Sequence, residues 1–450
     1  MRTGGTAPIE RASSADLVML AMDAGGRVPE QMGALLVLDA GPGFDLPAAG
    51  RLLAERVRTV PRLRQRLVRV PPGCGRRVWV DDPRSDPAEH VRHVRCPAPG
   101  DEDALLDVAT TVVTEALPAS RPLWSAVFVT GLAGDRVGLI VVVHHVLADG
   151  IGGLAVLAQL VDPGAGPGPA RAFPRPMPSR TGLAADALRS RLRAVARLPA
   201  ACRGLRTAVA ATGGLRAPRA EPCSLLRPTG PRRRVAVARA DLAALRAAAH
   251  RYGGTVNDAL LTALAGALHA LLARRGESIR TLLVTEPVAA RRAASAHDLG
   301  NRFAPLIVGL PGEGGPAERL PRIARTVHGA RAAAMTGPSM VALARPVFRA
   351  LAGLGLYRLF MAHQRRFHTL LSNVPGPDRP LAFAGAPIRT IVPVAVGEAG
   401  NATVNFVALS YAGTLVVTVV ADPDRVPDLP LLASLLQDEL DALTARVPAD

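Results

Sequence analysis

The stretch GLIVVVHHVLADGIGG, residues 138–153, runs from an apolar segment through two histidines to a glycine-rich segment. Its apolar part predicts a strand that is buried on both faces. Asp149-Gly150 marks a turn, and the residues after it have helical spacing. A buried strand that leads through a turn into a helix is typical of an α/β fold, in which His144 and His145 lie at the strand end.

Two histidines at a strand end can serve several purposes. Consecutive strand residues point to opposite faces, so only one of His144 and His145 is expected to enter a given cavity. A neutral imidazole can take a proton from an alcohol at physiological pH when a neighbour fixes its tautomer, and Asp149 could reach back to it or bind an arginine. A buried structural histidine and a metal ligand are the alternatives. A metal site needs three or four ligands, however, and the sequence has neither an HExxH pattern nor a cysteine cluster.

The composition indicates a globular protein with an anionic partner. Hydrophobic residues make up 49% of the 450 residues and charged residues 20%, and this length predicts two domains. The formal net charge is +17, and all 54 basic residues are arginines. Aromatic residues amount to 3%, which is too few for interleaved stacking on nucleic-acid bases. An anionic partner is therefore expected, and by composition phosphate-bearing ligands or anionic lipid fit as well as nucleic acid does. Nucleic acid is not among the partners that we predict once the motifs below are considered.

A proline- and glycine-rich segment, residues 163–180, is the predicted domain boundary. Strand-like and helical patterns alternate on both sides of it, which favours two α/β halves, each a mixed sheet flanked by helices. We predict an N-terminal domain over residues 1–165 and a C-terminal domain over residues 233–450. Residues 166–232 are predicted as a linker that is rich in proline, glycine and arginine and contains an amphipathic helix.

The apolar segments are too short or too interrupted to predict a membrane span. A span needs about 20 apolar residues, whereas Ala259–Ala273 is shorter and predicts a buried helix. Ala399–Ala421 alternates around Ala412-Gly413 and predicts a β-hairpin. The N-terminus lacks an apolar signal core, and the four cysteines have no disulfide-like or zinc-like spacing, so we expect a cytoplasmic protein.

Two arginine-rich amphipathic segments, Leu183–Arg206 and Arg345–His368, are candidates for contact with lipid. Their apolar residues have helical spacing between the arginines, a pattern that fits a membrane or lipid-droplet surface. A helix that packs its apolar face on its own domain has the same pattern. The sequence therefore leaves both peripheral lipid association and ordinary packing open.

The segment HHVLADG, residues 144–150, matches the HHxxxDG motif shared by CoA-dependent acyltransferases and nonribosomal peptide condensation domains. Other segments distinguish these groups. The motifs of bacterial wax ester synthase/diacylglycerol acyltransferases have counterparts, in the same order, in SRPLWSAVFVTGL (Ser120–Leu132), TVNDALL (Thr255–Leu261), GNRFAPLIVGLP (Gly300–Pro311) and LSNVPGP (Leu371–Pro377). From about Ser14 to Leu443 the chain therefore resembles that family, which is part of the CoA-dependent acyltransferase superfamily.

The resemblance implies a fold and an activity. The fold would be two chloramphenicol-acetyltransferase-like α/β domains, each a mixed β-sheet flanked by helices, with a tunnel between them. The activity would be transfer of a fatty acyl group from acyl-CoA, as co-substrate and without a bound cofactor, to diacylglycerol or to a long-chain alcohol. A condensation-type or other acyltransferase with a different acceptor is one alternative. The other is a non-catalytic homologue that binds a membrane or lipid droplet.

The resemblance also assigns roles to residues of the motifs. His145 matches the general base that deprotonates the acceptor hydroxyl, while His144, Asp149 and Gly150 match residues that hold it in place, Gly150 by letting the loop turn. Residues that match substrate-binding positions are Pro122, Leu123, Trp124 and Asn257. Residues that match structural positions are Asp258, Asn301, Asn373, Pro375 and Gly376. No metal ligand is implied.

Three of these residues have specific expectations. Trp124 would line an acyl or CoA channel, or would belong to the core, as a large aromatic side chain often does. Asn257 would donate a hydrogen bond to the oxyanion of the transition state. Asp258 is expected to be the N-cap of the helix that follows it.

Overall fold

The computed structural model of the protein describes residues 9–23, 28–162, 173–196, 199, 219–289, 303–336, 351, 354–397 and 400–445. Its strands form two six-stranded sheets and one two-stranded sheet. The strands are β1 Gln31–Leu38, β2 Gln65–Val68, β3 Val78–Asp81, β4 Val91–Arg95, β5 Trp124–Thr130, β6 Val137–His144, β7 Arg234–Asp241, β8 Thr281–Ala289, β9 Phe303–Pro311, β10 Thr369–Val374, β11 Ala382–Phe383, β12 Ala386–Ala395, β13 Val404–Tyr411 and β14 Thr414–Ala421.

The α-helices of the described residues lie between and against these sheets. They are α1 Ser14–Asp23, α2 Leu46–Thr59, α3 Glu102–Thr114, α4 Gly150–Leu160, α5 Arg180–Ala196, α6 Leu242–Arg251, α7 Val256–Arg274, α8 Pro316–Thr336, α9 Tyr357–Ala362 and α10 Leu429–Thr444. Short 3-10 helices span Pro61–Arg64 and Pro87–His90. The predicted α/β class, with mixed sheets flanked by helices, is confirmed.

The first sheet has the strand order β11-β12-β1-β6-β5-β4. Its central strand β6 is buried on both faces, as its continuous apolar run predicts. Helix α3 covers one face, where Leu106 packs with Ile140. Helices α2 and α4 cover the other face, where Leu53 and Leu157 pack with Val141. The end of β6 is therefore held in a rigid, fully packed layer.

The second sheet has the order β7-β14-β13-β10-β8-β9, and its strands β13, β10 and β8 are parallel to one another. The predicted hairpin is confirmed, because β13 and β14 pair antiparallel around Ala412 and Gly413, which both have positive φ. Since β8, β10 and β13 run in the same direction, their carboxyl ends meet at one edge of the sheet. Polar groups at that edge can therefore come together from three strands.

Helix α7 packs in the centre of the second half. It is buried along most of its length, which confirms the helix predicted for Ala259–Ala273. It is also long and apolar enough to cross a membrane by length and composition, but 72% of its apolar window is buried inside the protein. The sequence predicted Asp258 as the N-cap of this helix, and that prediction is wrong. Thr255 is the N-cap, and Asp258 is the third helical residue, whose carboxylate accepts a hydrogen bond from the Thr255 N–H in a capping box.

The two halves share a sheet. Strands β11 and β12, residues 382–395, belong to the range predicted as the C-terminal domain, yet they pair in the first sheet, where β12 is antiparallel to β1. The added strands pair the edge of β1, which would otherwise leave backbone groups open. Val416 and Val420 of β14 join the apolar cluster on the same face of that sheet. The sequence boundaries at 165 and 232 and the tunnel between the halves stay predictions.

Candidate active site

The two adjacent histidines lie where β6 ends, as predicted. The backbone N–H of His144 donates to the carbonyl of Leu123, beside the start of β5, at 3.0 Å. The backbone N–H of His145 donates to the carbonyl of Glu30, just before β1, at 2.8 Å. The loop that carries the histidines is therefore fixed to both neighbouring strands of the sheet.

His144 is buried and its tautomer is set by its neighbours. Its Nδ1 accepts a hydrogen bond from the backbone N–H of Val146 at 3.0 Å, so the proton of the neutral ring is on Nε2. That Nε2 lies 3.5 Å from Oδ2 of Asp23, at the end of α1. The ring therefore bridges α1 and the loop, and its nitrogens face Val146 and Asp23.

His145 is partly exposed although protein surrounds it on most sides. Burial, and after it the neighbouring His144, lower the pKa of His145 to about 4, although the Asp149 charge and a hydrogen bond with the Ala148 backbone act to raise it. Its imidazole is consequently neutral at physiological pH. A neutral, partly accessible ring at the end of a strand is in the protonation state that a proton acceptor needs.

Asp149 begins helix α4. Its carboxylate accepts a hydrogen bond from the backbone N–H of Gly152 at 2.9 Å, which makes it the N-cap of α4. Its negative charge also favours the protonated form of His145. Asp149 therefore orders the loop and lies close enough to His145 to act on its charge.

Gly150 brings the two halves of the protein together. It lies in the first turn of α4, and its backbone φ is not in the left-handed region, so the loop does not need glycine in order to turn. A Cβ atom built on Gly150 would instead lie 2.8 Å from Cγ2 of Val374 at the end of β10. The HHxxxDG segment of the first half thus meets the NVPGP segment of the second half at this contact.

Gly150→Ala is expected to lower the free energy of unfolding by about 1–3 kcal/mol, because the added methyl group presses on Val374. Adding Val374→Ala should recover much of this loss, and urea unfolding of the single and double variants measures it. Gly153→Ala in the same helix is the control, since its methyl group meets only the end of the Met32 side chain. Additive effects of Gly150→Ala and Val374→Ala would contradict the contact.

Asn257 of α7 belongs to a polar network at the carboxyl edge of β8 and β10. Its Nδ2 donates to Oε1 of Glu286 at 3.0 Å, and its Oδ1 accepts from Nδ2 of Asn373 at 3.3 Å. Oε2 of Glu286 accepts from the Arg331 guanidinium at 3.3 Å. One N–H of Asn257 is therefore committed to Glu286, and the predicted oxyanion contact would use the other.

Glu286 is a site residue that the sequence analysis missed. It is buried at the carboxyl end of β8, and burial raises its pKa, against the hydrogen bond from Asn257 and the charge of Arg331. A single glutamate among apolar strand residues is the only signal in the sequence. Its partners come from α7 and α8, so no local pattern could have identified them.

Gly376 of the NVPGP segment has no room for a side chain. A Cβ atom there would lie 2.0 Å from the backbone oxygen of Ser410, and its N–H donates to Oγ of Ser410 at 3.1 Å. Pro375 beside it is exposed. The glycine therefore lets the chain after β10 lie directly on the end of β13.

The PLW segment packs into the first half. Trp124 is 2% exposed, its ring stacks on His90 with centroids 4.4 Å apart, and its Nε1 donates to the Leu63 carbonyl at 2.9 Å. Pro122 is buried and Leu123 half-buried. Of the two roles expected for Trp124, its position favours the core, and contact of this segment with substrate stays a prediction. Asn301 lies outside the described residues.

Neither histidine is part of a recognisable metal centre. Among the residues that the structure describes, no group of three or more His, Cys, Asp and Glu side chains is arranged to hold a metal ion. Three of the cysteines, Cys74, Cys96 and Cys223, are free thiols, and Cys202 lies outside the described residues. The polar side chains of the described site carry imidazole, carboxylate and amide groups.

Two sequence models of one family match most of the chain. The wax ester synthase/diacylglycerol acyltransferase catalytic domain matches residues 13–260, and the C-terminal domain of that family matches residues 299–444. A probable diacylglycerol O-acyltransferase of Mycobacterium tuberculosis is 30% identical over 439 residues, which cover 94% of this chain and 93% of the relative. A putative diacylglycerol O-acyltransferase of Mycobacterium bovis matches with the same identity and coverage.

Solved structures show the same fold. A wax ester synthase/diacylglycerol acyltransferase from Marinobacter aquaeolei superposes with a TM-score of 0.68 at 22% identity, over 96% of this chain and 98% of that chain. The first condensation domain of the calcium-dependent antibiotic synthetase superposes with a TM-score of 0.63 at 22% identity, over 98% and 96% of the two chains. With the matches of the family models and the relatives, the resemblance seen in the motifs is confirmed: the chain belongs to the wax ester synthase/diacylglycerol acyltransferase family and is an acyltransferase.

Proposed function

We propose that the protein transfers a fatty acyl group from acyl-CoA to the hydroxyl of diacylglycerol, of a long-chain alcohol, or of both, with His145 as general base. The observation that carries the proposal is a neutral, partly accessible imidazole held between two strands at the junction of the two halves. The names of the mycobacterial relatives support diacylglycerol as one acceptor.

The proposed reaction needs no covalent enzyme intermediate and no bound cofactor. His145 takes the proton of the acceptor hydroxyl as its oxygen attacks the thioester carbonyl. A C–O bond forms, the C–S bond breaks, and the imidazolium returns the proton to the CoA sulfur. Thiols titrate near pH 8.5, so the thiolate is an adequate leaving group. A tunnel between the halves would align the two substrates and exclude water, and the second N–H of Asn257 is a candidate oxyanion donor.

An acceptor screen with CoA release as the readout tests this proposal. Purified protein is supplied with palmitoyl-CoA and either diolein or hexadecanol, and product esters are separated by thin-layer chromatography. Turnover with either acceptor is the expected result. Activity only with a phosphopantetheinyl carrier as acyl donor would replace the proposal with a condensation-type reaction. Absence of turnover with every acceptor, together with retained binding to lipid, would contradict the enzyme activity.

The pH dependence of kcat/KM should report the lowered pKa of His145. Because the ring stays neutral down to about pH 4, we expect kcat/KM to stay level between pH 7 and about pH 5 and to fall with an apparent pKa near 4. The pKa of His145 in the folded protein is below the unfolded value of about 6.5. The unfolded chain therefore binds more protons, and stability is lost as the pH falls from about 6.5 to about 4. Each sample is therefore returned to pH 7 and re-assayed. A reversible acid limb near 6.5 would contradict the prediction.

Helix α5 gives the proposed enzyme a surface for lipid. Leu188, Leu192 and Val195 follow one another at helical spacing and are 57%, 61% and 67% exposed, and the exposed Arg189 and Arg191 flank them. An exposed apolar stripe between arginines fits the boundary of an anionic membrane or lipid inclusion. We propose that the protein is cytoplasmic and binds peripherally to such a surface, which the exposed stripe supports.

A second exposed apolar group lies in the other amphipathic segment. Leu354, Leu356 and Leu359 are 71%, 44% and 60% exposed around the start of α9. Residues 197–198 and 200–206 of the first segment, and 345–350 and 352–353 of the second, lie outside the described residues. The described parts of both segments thus present some apolar side chains to solvent, while Leu183 of the first and Tyr357 and Met361 of the second pack against the protein itself. Binding to lipid through the exposed side chains remains our proposal.

Replacing Leu188, Leu192 and Val195 together with serine is expected to lower binding to phosphatidylglycerol-containing vesicles at least tenfold, since three apolar side chains lose contact with lipid. Vesicle sedimentation measures the bound fraction. Ala194→Ser, on the same helix but away from the stripe, is the control and should bind as the wild type does. Equal binding by the triple variant and the control would exclude α5 as the lipid surface.

A further inference from the structure

Asp23 lies at the end of α1 and touches both sides of the loop that carries the histidines. Its Oδ2 is 3.5 Å from Nε2 of His144, and its Oδ1 accepts a hydrogen bond from the backbone N–H of Glu30 at 3.3 Å. The carbonyl of the same Glu30 accepts the backbone N–H of His145 at 2.8 Å. One carboxylate is therefore connected to His145 by two routes, through the His144 ring and through the Glu30 peptide.

The position of Asp23 is fixed by the helix that it ends. Helix α1 begins with a reciprocal pair, in which the N–H of Asp16 donates to Oγ of Ser13 and the N–H of Ser13 donates to the Asp16 carboxylate. Its buried Met19 and Met22 pack on residues of α9. Asp23 directly follows Met22, so the carboxylate is held at a defined point against His144.

The Val146 N–H and the Asp23 carboxylate favour the same tautomer of His144. Nδ1 of His144 accepts the Val146 N–H, so the proton on Nε2 faces Asp23. In the other tautomer, an Nδ1–H would face the Val146 N–H, and a bare Nε2 would face a carboxylate. Both contacts would be repulsive, and the loop around His145 would have to move.

The charge of Asp23 is suited to this role. Burial acts to raise the pKa of Asp23, but the hydrogen bond and charge attraction of His144 and the N–H of Glu30 lower it below its usual value. The carboxylate is therefore ionised at neutral pH.

We propose that Asp23 is a positioning residue for acyl transfer, which selects the Nε2–H tautomer of His144 and thereby fixes the backbone and ring of His145. The proposal rests on the proposed role of His145 as general base. Asp23 contacts neither substrate in this scheme and acts only through its two neighbours in the loop.

Asp23→Asn tests the proposal by kinetics and by spectroscopy. We expect kcat for acyl transfer to fall about 10- to 100-fold, as for groups that orient functional histidines elsewhere, with KM within about twofold. In protein labelled with 15N-histidine, the His144 signals, assigned by their loss in His144→Ala, should shift from the Nε2–H pattern to a mixture of tautomers. Asp23→Glu keeps the charge and should retain the native tautomer and lose less activity.

Asp39→Asn is the matched control. Asp39 follows the far end of β1 from His144, and its carboxylate pairs with Arg389 at 3.8 Å. The same change there should leave kcat and the His144 signals as in the wild type. Unchanged kcat in Asp23→Asn, or reduced kcat with an unchanged His144 tautomer, would overturn the proposal. Full activity of His145→Ala would instead overturn the proposed base, while the His144 spectrum would still report whether Asp23 selects the tautomer. Should Asp23→Asn not fold, the same two readouts on Asp23→Ala, which also removes the carboxylate, decide.

Discussion

His145→Ala is expected to lower kcat for acyl transfer by about 10²- to 10⁴-fold, the usual contribution of a positioned general base. Its ring is neutral at physiological pH and partly accessible at the end of β6, so it is the group of the HHxxxDG segment best placed to take a proton. CoA release with the acceptor found in the screen measures the loss. Circular dichroism and thermal unfolding should show an intact fold, because truncation removes a ring that is not part of an apolar cluster.

His93→Ala is the control for this experiment. His93 is an exposed histidine of β4 that stacks on Phe128, and it should be dispensable for turnover. The variant excludes a general effect of removing any imidazole from the first sheet. Turnover by His145→Ala at the wild-type rate would remove His145 as base and would direct attention to Glu286 and its network.

Arg319→Met is expected to lower the free energy of unfolding by about 3–5 kcal/mol, because it leaves a carboxylate without its cation inside the second half. Arg319 of α8 is 4% exposed and forms an ion pair with Glu439 of α10. The pair lies over Gly266 of α7, where a Cβ atom would approach both side chains within 2.2 Å. Three helices thus converge on one buried charge pair. Urea unfolding of Arg319→Met and the wild type measures the difference in the free energy of unfolding.

Two further variants separate the ion pair from general packing. Arg319→Met combined with Glu439→Leu removes both charges and should recover most of the lost stability, because no charge is left buried alone. Arg92→Met breaks a solvent-exposed pair with Glu115 and should cost at most about 1 kcal/mol. A double variant as unstable as Arg319→Met would show that the loss comes from packing and not from the unpaired carboxylate.

The sequence predicts the local structure around the site well. Strand β6, the turn at Asp149 and helix α4 follow from an apolar run, a turn pair and helical spacing within one short segment. The β13–β14 hairpin follows in the same way from alternation around Ala412-Gly413. These features depend on neighbours in the chain, which is why a pattern can indicate them.

The contacts that hold the site depend on residues far apart in the chain. Asp23 meets His144, Gly150 meets Val374, and Asn257 meets Glu286 only after the sheets have formed. The motifs placed His145, Gly150 and Asn257 among the site residues, but their partners carry no pattern of their own. Asp258 shows that a local pattern can also be ambiguous. Aspartate suits both the N-cap and the third helical position, and in the structure Thr255 is the N-cap.

The pairing of β12 with β1 determines how this protein can be divided. A fragment that stops at residue 165 would expose the edge of β1 over Met32 to Leu38, all of which pair with β12 in the intact chain. Such a fragment would seek another strand, and self-association is the usual result. Any split of the chain or exchange of halves with a relative must therefore keep residues 382–395 with the N-terminal half. Each half contributes backbone to the sheet from which the histidines emerge, so neither half completes that sheet alone.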